Sequence, residues 1–95
     1  MAKRVIPTEA PDSSLPINME RLGEFVRFKR TSLDLSIENA ASLCGVSKQA
    51  FHNLELGLES VKLATVFKIL NNLGISLWFD NKVAENTQED NDDWL

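Results

Sequence analysis

The segment from Ile37 to Leu54, IENAASLCGVSKQAFHNL, constrains the fold more than any other part of the chain. Ser36 precedes an apolar series, Ile37, Ala40, Ala41 and Cys44, spaced i, i+3, i+4 and i+7. That spacing marks one face of a short α-helix with a serine N-cap. Gly45 follows at once, and glycine takes the positive φ that a sharp reversal after a helix demands. Ser47 then caps a further helix in which Ala50, Phe51 and Leu54 face inward, until Gly57 stops it. The small side chain of Ala41 lets the two helices approach, while Ala40, Val46, Phe51 and Leu54 fill the wedge between them. Two short helices joined by a tight turn are therefore expected, inside an all-α domain.

The flanks supply two more helices. Asn18 can cap one in which Leu22, Phe25, Val26 and Leu33 form the inner stripe, ending near Ser32 to Asp34. Downstream, Leu63, Val66, Phe67, Leu70 and Leu73 share a face before Gly74 closes the last helix. Ile75, Leu77 and Phe79 then alternate with Ser76, Trp78 and Asp80, which is the period of a β-strand. A lone strand in so small a domain exposes an unpaired edge. Two arrangements follow: pairing with the same strand of a second copy across a two-fold axis, or packing of the segment on its own helices. The first makes Ile75, Leu77, Trp78 and Phe79 a dimer interface. Residues 1–17, rich in proline and small polar groups, read as a flexible arm, residues 18–82 as the folded domain, and residues 83–95 as a disordered acidic tail.

Length and composition remove several classes of function. Ninety-five residues suit one domain that gains stability from oligomerisation and has little room for an enclosed cleft. Hydrophobic content of 43% is ordinary, and no apolar run approaches the ~20 residues that cross a bilayer. The N-terminus, broken by Pro7, Pro11 and Pro16, does not resemble a signal peptide, so a cytoplasmic location is expected. One cysteine, Cys44, and one histidine, His52, cannot assemble a zinc site, and no metal or other cofactor is expected. Convergent titratable groups are lacking too, which argues against an enzyme.

Charge points elsewhere. The net charge of −4 hides an uneven distribution, because Glu85, Glu89, Asp90, Asp92 and Asp93 all fall in the tail, which carries no base. Residues 1–82 hold all 10 Lys and Arg against 9 acids, with Arg27, Lys29 and Arg30 crowded together and Arg21, Lys48, Lys62 and Lys68 flanking them. A local positive face is compatible with that balance. The turn between the two short helices sets the second of them proud of the body, where its first turn can enter a DNA major groove ~12 Å wide. Lys48 can donate to guanine O6 or N7, Gln49 can bond adenine N6 and N7 together, and Ala50 can touch a thymine methyl. His52 and Asn53, one turn on, can reach a base edge or a phosphate. Phosphates are expected to meet Arg27, Lys29 and the helix starts capped by Ser36 and Ser47.

On these residues the segment 19–74 resembles the Xre/Cro-type helix-turn-helix domain of phage repressors, which implies a four-helix, lambda-repressor-like fold and sequence-specific operator binding. The likeness also implies a partly buried salt bridge between Arg30 and Glu55, placing Arg30 in the core network first and on phosphate second. Two positions depart from the family pattern. Ile37 stands where a phosphate-clamping glutamine is usual, and Asp34 where glycine often makes a left-handed turn. Within the family, the run VFKILNNLGISLWFD and the acidic tail ending in tryptophan look most like HipB-type antitoxins. That likeness implies a homodimer that represses its own operon and binds a HipA-like serine/threonine kinase toxin, with Trp94 of the tail as a toxin-docking anchor. A stand-alone Xre-family repressor without a toxin is the alternative.

Overall fold

The structure, a computed structural model, describes residues 4–81. Four helices follow one another: α1 (Met19–Ser32), α2 (Ile37–Cys44), α3 (Lys48–Glu55) and α4 (Leu63–Leu73). Their starts are local chemistry. The side chains of Asn18, Ser36 and Ser47 accept from the backbone N–H of Arg21, Asn39 and Ala50, at 2.8, 3.1 and 3.0 Å. Each thereby satisfies a donor that the first turn of a helix leaves without a partner. The ends are local as well. Gly45 and Gly74 take left-handed φ of 70° and 74° after α2 and α4, and Asp34 does so at 60° between α1 and α2. Aspartate tolerates that region better than most residues, because its short side chain can bond nearby backbone.

The core forms where the four helices meet. Val26 of α1, Ala40 of α2, Phe51 and Leu54 of α3, and Ile69 of α4 are wholly buried at its centre. Helix α1 lies against α3 so closely that Gly23 cannot be replaced without strain. A Cβ there would sit 2.5 Å from the Leu54 carbonyl oxygen and 2.6 Å from that of Glu55, both backbone atoms. Intrinsic propensity alone favours alanine over glycine in a helix by about 1 kcal/mol. We expect Gly23→Ala nevertheless to destabilise by about 1 to 3 kcal/mol, since two backbones must part. Thermal unfolding checks this, and a raised midpoint would contradict the close approach.

Packing departs from the sequence expectation at helix ends. Leu33, expected on the inner stripe of α1, is 47% exposed, because it is the C-cap where the chain leaves helical phase, and Leu35 packs against the core instead. In α4 the buried stripe is Val66, Ile69, Leu70 and Leu73. At 3.6 residues per turn, Leu63 and Phe67 stand roughly 70° and 110° off its centre, and both are exposed. Ile69, not assigned inward from the sequence, takes their place.

Cys44 sits between α2 and α4, its thiol donating to the Ile69 carbonyl at 3.9 Å. Burial pushes that thiol above its usual range. An unfolded chain would ionise there first as the solution turns alkaline, so the folded state binds more protons in that window. The stabilisation is fully present below the unfolded pKa of about 9 and is lost as pH rises toward the folded value. Urea midpoints measured upward from about pH 8 should therefore fall more steeply for the wild type than for Cys44→Ala. Parallel slopes would refute the assignment.

The N-terminal arm is irregular over residues 4–17, yet it is tied to α1. Thr8 donates its N–H to the Thr31 hydroxyl at 3.1 Å, and Arg21 reaches back to the Pro16 carbonyl at 3.3 Å. Proline-rich composition gave no sign of these contacts. At the other end, residues 75–81 carry no helix or strand. A ladder needs two strands, and no described residue pairs with Ile75–Asp80 within one chain. Ile75 packs on the core, whereas Trp78 and Phe79 are 91% and 90% exposed. The acidic tail, Trp94 included, lies outside the described residues.

Candidate nucleic-acid interface

Helix α3 owes its orientation to the turn before it. The Val46 N–H donates to the Ala41 carbonyl at 3.0 Å and the Gly45 N–H to that of Ser42 at 3.2 Å, which closes α2 and throws the chain sideways into α3. Phe51 and Leu54 anchor α3 in the core. Helical geometry then presents Lys48, Gln49 and His52, at i, i+1 and i+4, on the opposite side, and all three are exposed. Ala50 and Asn53 are half-buried at its margins.

The far end of α3 is fixed by an ion pair. The Arg30 Nε donates to Glu55 Oε2 at 2.5 Å and its Nη2 to Oε1 at 3.0 Å, with both side chains less than a tenth exposed. The remaining guanidinium arm donates to the Leu35 carbonyl at 2.8 Å. One side chain thus joins α1, the loop that follows it and α3. It also removes Arg30 from the surface, so that Arg27, exposed, and Arg21 and Lys29, half-buried, are the cations that α1 offers to a ligand.

The other expected phosphate contacts need restating in atomic terms. The hydroxyls of Ser36 and Ser47 are engaged as caps of α2 and α3, each accepting from one backbone N–H, so a phosphate would have to bond the other first-turn amides, which have no partner within the helix. Ile37 packs against the core. Lys68 belongs with this surface for a reason the sequence could not show: its Cε and Nζ lie 3.5 and 3.6 Å from where a Gly45 Cβ would be, so it crosses the turn between α2 and α3. Among the described residues the ion pair found is Arg30 with Glu55, and Lys48, Arg27, Lys29 and Lys68 make none there.

A second concave feature lies away from α3. A groove of about 570 Å³ is lined by Leu15 and Ile17 of the N-terminal arm, Leu22 and Phe25 of α1, and Leu77 and Trp78 beyond α4. Of the residues expected at a dimer interface, Ile75, Leu77 and Trp78 line it and Phe79 does not. Among the described residues, no helix is long and apolar enough to cross a membrane, and no group of three or more His, Cys, Asp or Glu could hold a metal ion. No protein-family model and no curated protein matches the chain.

Proposed function

We propose that this chain binds DNA sequence-specifically as a dimer and represses transcription. One observation carries the reading: a short helix anchored by Phe51 and Leu54 holds Lys48, Gln49 and His52 out to solvent in its first turns. Those side chains supply the donors and acceptors that read base edges in a major groove. Arg27, Lys29 and the capped starts of α2 and α3 would meet the flanking phosphates and set the register. Selection of duplexes from a random library by the full chain, followed by footprinting, tests the proposal. A palindrome with half-sites about one turn, ~34 Å, apart is expected. Recovery of unselected sequence would reject it.

Dimerisation rests on the unpaired segment Ile75–Phe79. In the dimer it forms the strand, pairs with its mate and covers Trp78 and Phe79, which one chain leaves in water. Leu77→Asp would bury a charge there and should weaken the dimer at least tenfold. Sedimentation checks this, and an intact dimer with unchanged helicity would move the interface elsewhere.

The resemblance to HipB-type antitoxins extends the proposal to a HipA-like kinase toxin, held through the tail that carries Trp94 and repressed from the same operon. The stand-alone repressor differs in having no such partner. Co-purification with the product of the adjacent gene separates the two.

A further inference from the structure

The recognition surface contains one side-chain contact made before any DNA arrives: the Gln49 Nε2 donates to Asn53 Oδ1 at 2.9 Å, one helical turn along α3. We infer that Asn53 is a positioning residue, presetting the Gln49 amide to read adenine. The inference rests on the DNA-binding reading above and specifies how one base is recognised.

A glutamine amide has one acceptor oxygen and two N–H donors. With one N–H held by Asn53, the other N–H and Oε1 remain for a ligand. Adenine presents the complement in the major groove, N7 as acceptor and the N6 amino group as donor. A free glutamine side chain loses rotamer freedom when it is fixed on a base, and a side chain already braced loses less. Asn53 is half-buried, which limits its side-chain freedom, and its backbone is fixed by the main-chain carbonyl accepting from the Leu58 N–H at 3.1 Å. Gln49, by contrast, is exposed and has no other side-chain partner among the described residues. The i, i+4 spacing makes such pairs stable on a helix surface even before burial.

The test uses the full chain and the duplex it selects. Positions at which Gln49→Ala relaxes base preference identify the adenine, and 7-deazaadenine placed there removes the N7 acceptor. The readout is the ratio of affinities for adenine and 7-deazaadenine duplexes, which a merely structural loss would not change. Asn53→Ala should reduce this ratio about 3- to 10-fold, the worth of one net hydrogen bond. Asn53→Asp, whose carboxylate still accepts from Gln49, should keep the ratio even though its charge lowers affinity for every duplex. In a Gln49→Ala background, Asn53→Ala should add no further loss of the ratio.

An unchanged ratio for Asn53→Ala overturns the inference. So does a loss that persists at full size without Gln49, since Asn53 would then touch the base itself. A wild-type chain that selects no sequence would remove the DNA-binding reading and this inference together, an outcome distinct from the other two.

Discussion

Glu55→Ala is expected to destabilise the fold by about 3 to 5 kcal/mol, a large part of the 5 to 15 kcal/mol that holds a typical domain together. The size follows from what remains. The Arg30 guanidinium would keep its bond to the Leu35 carbonyl, but its Nε and Nη2 would lose both carboxylate oxygens in a place where water hardly reaches. Exposed pairs are worth far less, about 0 to 1 kcal/mol. The double replacement Arg30→Met with Glu55→Met should recover most of the loss, because no buried charge is left alone. Urea unfolding of the two single variants and the double variant gives the coupling directly. A loss below about 1 kcal/mol for Glu55→Ala would show that the pair is effectively solvated.

Lys48→Ala with Gln49→Ala should together remove about 2 to 6 kcal/mol of specific DNA affinity, at about 1 to 3 kcal/mol for each base contact. Both side chains are exposed, so folding stability should change by no more than about 0.5 kcal/mol. The two variants also differ in kind. Loss of Lys48 removes a cation and weakens binding to every duplex at low salt, whereas loss of Gln49 should act only on the selected sequence. Gel-shift titrations against the selected and a scrambled duplex, at one fixed ionic strength, separate these effects. Unchanged affinity of the double variant for the selected duplex would remove α3 from the base-reading role.

Features settled by chemistry within a few residues were legible in the sequence. Asn18, Ser36 and Ser47 cap helices because a hydroxyl or amide three residues before an orphan N–H can reach it, and Gly45 ends α2 because little else accepts its φ of 70°. Exposure of Lys48 and Gln49 followed from Phe51 and Leu54 on the opposite side of the same helix. Features settled by a distant partner were not. Leu63 and Phe67 continue a plausible stripe, and only the packing of α1, α2 and α3 on α4 decides that Ile69 is covered in their stead. Gly23 looks like a flaw in a helix until α3 lies across it. The contact of Thr8 with Thr31 spans 23 residues of sequence and depends on a hydroxyl that also donates to the Arg27 carbonyl. At the interface, the spacing of Gln49 and Asn53 was visible, whereas the reach of Lys68 over Gly45 required the packing of α4 on α2.

The seam between α1 and α3 has a mechanical meaning. Gly23 lets the α1 backbone lie against the carbonyls of Leu54 and Glu55, and Arg30 grips the Glu55 side chain, so two residues of α1 clamp the C-terminal end of α3. A clamped end leaves little room to absorb a mismatch by shifting. In the dimer proposed above, an error in the distance between half-sites would be taken up beyond Gly74, in the irregular stretch that would join each chain to its mate. The tolerance of such a dimer for operators of different spacer length would then be a property of Ile75–Asp80. Changing the helical body would leave the permitted spacing alone, and inserting or deleting residues in that stretch would retune it.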